Sequence, residues 1–375
     1  LKNHCIQRIV LTLYVGLFLV FNVRSQSDYI HVQSKQKAAF NIGIRGHYGF
    51  IIPHRVGMEN LIQGHVKAGE ISMEKQTSGN KSWQKSWKYP IVGFCFYGAD
   101  LANRKELGYS LAVFPYLKFS PINQNRFRLS IRVGGGFGYV TKRFDTESNY
   151  KNVLIGSHAN IIANLIGEAQ WKLSDRIWIS AGLGFMHYSN GAFRVPNLGI
   201  NVPSMNAEFN YRIGQNPQRT IPSDTIPSVK YSATAFGSFG LKENYPVGSE
   251  KFPVYNLSLQ FNRHFGYRSK IILMVDVFQN TSLEQRMSQD SVSYNGPTDI
   301  TQIGFMLAYG MVVDKLTITV GQGIYARTKY KGDTHFYHRV GVTYDLTKRI
   351  GLRWMLKTHF FKADCFEFGI GYRFL

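Results

Sequence analysis

Beyond residue 37 apolar residues alternate with polar or small ones along most of the chain, and no stretch keeps the 3.6-residue rhythm of a helix. Successive side chains of a strand point to opposite faces, so each such segment predicts a strand with one oily side and one small or charged side. In the last segment Phe366, Phe368, Ile370, Tyr372 and Phe374 share one face, and Glu367, Gly369, Gly371 and Arg373 share the other. Phe127, Leu129, Ile131 and Val133 stand in the same way against Arg128, Ser130, Arg132 and Gly134, and Leu257, Leu259 and Phe261 against Ser258, Gln260 and Asn262. The strands are long for a soluble sheet, aromatic residues make up 14 % of the chain, and Gly recurs on the inner face. The pattern predicts an all-β fold, a transmembrane antiparallel β-barrel of roughly 12 to 16 strands, whose charged inner face requires a wet lumen.

The connections alternate in length. Short ones at Ser174-Asp175, Gly266-Tyr267-Arg268, Val313-Asp314-Lys315 and Thr347-Lys348-Arg349 read as periplasmic turns, and longer ones at 142–157, 191–202, 242–252 and 282–299 as extracellular loops. By parity the Pro-rich link from Asn216 to Ser228 falls on the periplasmic side. At the start, Lys2 and Arg8 precede an apolar run from Ile9 to Phe21, and Ser25 offers a small residue for cleavage, so residues 1–25 are expected to be a signal peptide. Residues 26–375 are then expected to form a single outer-membrane barrel, whose last strand ends in an aromatic-rich Tyr372-Arg373-Phe374 resembling the terminal insertion signal of such barrels.

Charge narrows the partners. With 44 Lys and Arg against 23 Asp and Glu the formal net charge is +21, yet no basic helix, metal finger or aromatic platform for RNA is evident, so nucleic acid is not expected. Anionic lipid at the membrane rim suits the charge better. Besides Cys5, within the leader, the chain has Cys95 and Cys365. Neither sits in a CxxC or Cys/His spacing, so no metal site is expected. They read as two buried or lipid-facing thiols, and would pair only if their strands are close.

One strand invites chemistry. In Arg176 to Asn190 the odd positions Ile177, Ile179, Ala181, Leu183 and Phe185 are apolar, while Ser180, Gly182 and Gly184 are small or polar. The same parity puts His187 and Ser189 on the lipid face, beside each other, where the strand runs into a long loop. An imidazole there can accept the proton of the hydroxyl and so activate it towards an ester carbonyl. By itself His-x-Ser is more often a pair of interfacial hydrogen-bonders. Its surroundings are more telling: the run from His187-Tyr188-Ser189-Asn190-Gly191 to Pro196-Asn197-Leu198-Gly199-Ile200-Asn201 resembles the active-site segment of the lipid A 3-O-deacylase family of outer-membrane barrels. The resemblance extends to the larger acyloxyacyl hydrolase version found in Bacteroidetes-like bacteria.

That resemblance implies a serine esterase without metal or cofactor, removing an acyl chain from lipid A in the outer leaflet of a Gram-negative outer membrane. It implies Ser189 as nucleophile and His187 as general base, with Asn190, Asn197 and the backbone N–H groups near Gly191 and Ala192 as the oxyanion pocket. Such donors are worth about 3 to 4 kcal/mol each. Where the family carries its triad glutamate this chain has Asn201, whose carbonyl can still accept from the ring N–H, as in Cys-His-Asn proteases. Glu208 lies on the opposite parity and is a poor substitute. His158 reads as a rim histidine rather than a phosphate contact, Trp178 and Trp354 as girdle anchors, and Gly134-Gly135-Gly136 as close packing in a narrow lumen rather than a phosphate loop. Two other functions compete: a passive channel, suggested by Arg, Lys and Gly on the inner face, and a non-catalytic lipopolysaccharide-binding barrel, suggested by Asn201.

Overall fold

The structure is a computed structural model and describes residues 39–215, 230–360 and 362–375; the expected leader and the Pro-rich link lie outside the described residues. Eight antiparallel strands come first: β1 Phe40–Gly49, β2 Val66–Gln76, β3 Ile91–Asp100, β4 Tyr109–Asn123, β5 Phe127–Val140, β6 Ala159–Lys172, β7 Ile177–Ser189 and β8 Ile200–Ile213. They close into a barrel because β8 turns back onto β1, pairing Phe40 with Ile213 through to Gly49 with Ser204. Eight more follow: β9 Tyr231–Glu243, β10 Lys251–Phe265, β11 Ser269–Asn280, β12 Thr301–Val313, β13 Leu316–Arg327, β14 Phe336–Asp345, β15 Ile350–His359 and β16 Lys362–Arg373. These close separately through β16 on β9, pairing Phe368 with Phe239 and Arg373 with Thr234. Short helices α1 (Ser82–Ser86) and α2 (Ser282–Gln289) sit in the β2–β3 and β11–β12 connections.

Sixteen strands fall within the expected range, but they build two barrels instead of one. The alternation of apolar and polar positions is the same wherever a sheet closes, so the pattern counts strands without counting barrels. The expected loop and turn ends are kept in both, with long loops at one end and most short turns at the other. Within the barrels two connections break the rule: residues 77–90 are long at the turn end, and β15 and β16 are separated by residues 360–361 alone at the loop end.

The outer walls carry the apolar positions, as Ile44, Leu183 and Phe368 show at 62 %, 69 % and 59 % exposure. The inner faces depart from expectation, because they are filled rather than wet. An eight-stranded barrel is just wide enough for its own side chains, and here those chains are charged and mutually neutralising. In the first barrel Arg45 Nη2 lies 2.8 Å from Glu208 and its Nε 3.0 Å from Glu70, Arg132 grips Glu70 at 2.6 and 2.8 Å, and Lys118 lies 3.0 Å from Glu168. In the second, Arg339 binds Asp276 at 2.8 Å and also Glu367, while Lys357 lies 3.3 Å from Asp364. Gly134 leaves space inside for the Phe114 ring and Gly136 for the Val113 carbonyl and Phe114 Cβ, as the close-packing reading requires. Trp178 is a correction: it lies on the even, inner face, buried under Arg128 at 4.1 Å, and is no girdle anchor. Cys95 and Cys365 are both free and buried, one in each barrel.

The barrels touch along a seam that runs from one end to the other. At the turn end Trp87 and Phe119 of the first pack on Val313 of the second, and Trp87 Nε1 donates to Val312 O at 2.7 Å. Towards the loop end Phe137 stacks on Trp354 with ring centroids 6.3 Å apart. That stack makes Trp354, which also stacks on Phe368 of its own barrel, a seam residue and not a lipid-facing anchor. Strands of a small barrel are tilted by about 35–45°, and the seam meets the β2–β3 connection and β4 low on the first barrel but β5 and the turn after β7 high on it.

Candidate functional site

Strand β7 keeps the predicted parity to its end. Leu183 and Phe185 are exposed, Met186 and Tyr188 are buried inside, and His187 and Ser189 point outward. Pairing with β6 and β8 sets two outer rows. His187 sits level with Ala163 and Asn201, and Ser189 with Ile161, whose other neighbour is Phe137. Beyond Ala163 the His187 row continues to Gly135, so the wall beside the imidazole is low, while beside the hydroxyl it is apolar and tall.

After Ser189 the chain reverses through residues 190–199. Gly191 and Ala192 both take left-handed backbone angles, φ 64° and 63°, in a turn whose Gly191 N–H donates back to Ser189 Oγ at 3.2 Å. Asn197 Nδ2 donates to the same oxygen at 2.9 Å. Both lone pairs of the hydroxyl are thereby engaged and its proton is left free to donate. No hydrogen bond joins Ser189 to His187 among the described residues.

The Asn190 side chain is committed to the loop itself. Its Nδ2 donates to Ser157 Oγ and to Arg194 O, each at 2.9 Å, and its backbone N–H donates to Asn197 Oδ1 at 3.2 Å, which orients the Asn197 amide. Of the four expected oxyanion residues, Gly191 and Asn197 thus meet at Ser189, Asn190 braces them, and Ala192 offers its carbonyl to Glu243 N at 2.9 Å.

On the other side, His187 Nδ1 lies 2.6 Å from Asn201 Oδ1. A residue that the sequence reading passed over completes this arrangement: His54, in the β1–β2 loop, has Nε2 3.0 Å from Leu198 O and Nδ1 3.2 Å from Asn201 Nδ2. His54 Nδ1 also lies 3.2 Å from Ile52 O, so carbonyls face both of its ring nitrogens; in the tautomer protonated at Nε2, Nδ1 accepts from the Asn201 amide. The Asn201 carbonyl faces His187, whose Nδ1 donates to it and whose Nε2 is left as an acceptor. No motif marks His54, because it reaches the site from a loop more than a hundred residues earlier in the chain.

The remaining candidates sort themselves. Glu208 lies inside the barrel on Arg45, away from the site. His158 Nδ1 bonds Val140 O at 2.8 Å and its ring stacks on Tyr139, a satisfied rim histidine.

A membrane-type double barrel with a serine and a histidine on its outer wall is the class that this geometry defines. Residues 67–210 match the family model described as Lipid A 3-O-deacylase (PagL), and residues 229–375 match that of Acyloxyacyl hydrolase, C-terminal domain. Together these take in more than three quarters of the chain, which belongs to the lipid A 3-O-deacylase family of outer-membrane enzymes. Each model falls on one barrel. Among solved structures, the outer membrane enzyme PagL aligns at 16 % identity over 44 % of this chain and 97 % of its own, with a TM-score of 0.31. A variant of the Rh. blastica porin aligns at 10 % identity over 90 % and 100 %, with a TM-score of 0.18. These superpositions are loose, and membership rests on the family models. No match was found among curated proteins.

Proposed function

We propose that the chain hydrolyses an acyl ester of lipid A with Ser189 as nucleophile and His187 as general base, at the rim facing the outer leaflet. The observation that carries this reading is the convergence on one outward hydroxyl: two donors cap Ser189 Oγ, and the neighbouring imidazole is held through Nδ1 with Nε2 left to accept a proton. The hydroxyl proton passes to His187 Nε2 as Oγ bonds to the carbonyl carbon. His187 returns it to the departing sugar oxygen, and water repeats the sequence to free the fatty acid. The resting site is one contact short of this, as unliganded catalytic sites often are.

Gly191 N–H and Asn197 Nδ2 are the donors placed to follow the charge from Oγ onto the carbonyl oxygen. Asn201 stands for the absent acid, fixing the tautomer without adding a negative charge. The low wall of Gly135 and Ala163 leaves room for an acyl chain beside His187, and exposed Arg55 and Arg194 on the flanking loops suit a phosphorylated sugar.

The test is lipid A mass spectrometry after incubating the folded protein with lipopolysaccharide: loss of one acyl chain with wild type and none with Ser189→Ala is expected. Equal deacylation by both proteins sinks the assignment. The channel reading is disfavoured by the two filled lumens, and steady conductance in a planar bilayer would restore it. Lipid A binding without any Ser189-dependent release of fatty acid would favour the non-catalytic barrel instead.

A further inference from the structure

Ser189 faces the outer wall, yet it is only 5 % exposed, less than outward residues lower on the same strand. The second barrel supplies part of the cover. Its rim meets the turn after Ser189 at three consecutive residues. The Phe366 ring lies against Gly191 so closely that a Cβ there would stand 2.2 Å from ring Cδ2. Glu243 N donates to Ala192 O at 2.9 Å. Lys251 Nζ binds Phe193 O, lies 4.7 Å over the Phe193 ring, and pairs with the Glu243 carboxylate. That carboxylate is itself held by Gly248 N–H at 2.7 Å.

We propose that the rim of the second barrel is a positioning clamp for the esterase site, with Phe366, Lys251 and the Glu243 backbone holding residues 191–193 in the conformation that aims the Gly191 N–H at Ser189. This rests on the esterase reading above. Gly191 and Ala192 occupy left-handed angles that Ala adopts unwillingly. Such angles persist only where the surroundings over-determine them, and at Ala192 the surrounding group is Glu243 N–H. Were the turn to relax, the Gly191 donor would swing off the hydroxyl while Ser189, anchored in β7, stayed in place. The first barrel therefore carries the reacting groups, and the second completes the geometry of one of their donors.

The experiment compares wild type with Phe366→Ala, Phe366→Leu and Lys251→Met in the full chain. It follows hydrogen exchange of the 189–199 peptide, the rate of Ser189 labelling by a fluorophosphonate, and kcat and KM on lipopolysaccharide. Heat-modifiable gel migration reports folding. Phe366→Ala is expected to speed exchange in this peptide and to lower labelling and kcat together by about tenfold or more, with KM moving by less than about twofold; Phe366→Leu should recover most of the loss. If Phe366→Ala does not fold, Lys251→Met carries the test, with the same signs and a smaller size. Wild-type exchange in the folded variants overturns the clamp. Should wild type neither label nor release fatty acid, the esterase reading fails, and exchange alone then decides whether the second barrel holds the turn.

Discussion

The two barrels are alike in wall and lumen and unlike at one hairpin. Each has eight strands, an apolar outside and an inside packed with ion pairs. In the first, the seventh and eighth strands are joined by residues 190–199, which bring Gly191 and Asn197 onto Ser189; in the second, residues 360–361 alone separate the corresponding strands. A wall can orient an outward hydroxyl, but it has no spare N–H groups, since its own are spent on the ladder. Donors for a developing charge must come from a loop, so chemistry follows loop length on an otherwise repeated scaffold.

The sharpest way to break that contrast is to remove the outward hydroxyl from each barrel. Ser189→Ala should cost about a thousandfold or more in fatty acid release. Thr358→Ala, at the outward position nearest the end of β15, should leave the rate unchanged. A comparable loss from Thr358→Ala would mean that the second barrel holds reacting groups of its own.

The lumens should respond alike. Arg45 and Arg339 are each fully buried and bonded to more than one carboxylate. Removing either partner of such a network leaves buried charge unpaired, at a cost of about 3–5 kcal/mol. Urea unfolding of Arg45→Ala and Arg339→Ala should show similar losses, each with the other barrel retaining its heat-modifiable migration if the two fold as independent units. A negligible loss in either would indicate that water enters that lumen.

Asn201 should give a smaller effect, and one of opposite sign for two substitutions. Asn201→Ala removes the acceptor for His187 Nδ1 and should lower kcat by about ten- to a hundredfold, whereas Asn201→Glu adds the charge that stabilises an imidazolium and should raise it. A slower Asn201→Glu enzyme would show that the site is shaped for the amide.

How much of this could be read from residues alone follows from what is local. Parity along β7 placed His187 and Ser189 outward, because alternation is a property of the strand itself. The short resemblance around them supplied Asn197, Gly191 and Asn201, all within the hairpin. Closure of the sheet was hidden, since β8 offers the same outward Met205 and Phe209 whether it pairs with β1 or with a ninth strand. The lumen was misread as wet because a row such as Arg132 shows its charge but not Glu70 across the barrel. The resemblance offered Asn190 as an oxyanion donor, and its amide is tied to Ser157, from a different loop.

His54 is the furthest of these long-range partners, and its effect should be the smallest. It touches neither Ser189 nor His187 in any hydrogen bond; its Nδ1 lies 3.2 Å from Asn201 Nδ2, and with its Nε2 protonated it accepts from that amide and holds the Asn201 carbonyl towards the imidazole. His54→Ala frees the amide to turn, and an Nδ2 facing His187 would favour the tautomer with its acceptor on the wrong nitrogen. The expected loss in kcat is about tenfold, roughly 1.4 kcal/mol, with KM unchanged. Because the effect passes wholly through Asn201, the double variant His54→Ala with Asn201→Ala should be no slower than Asn201→Ala alone. Additive losses would mean that His54 meets the substrate directly, and the relay would have to be replaced by two separate contacts.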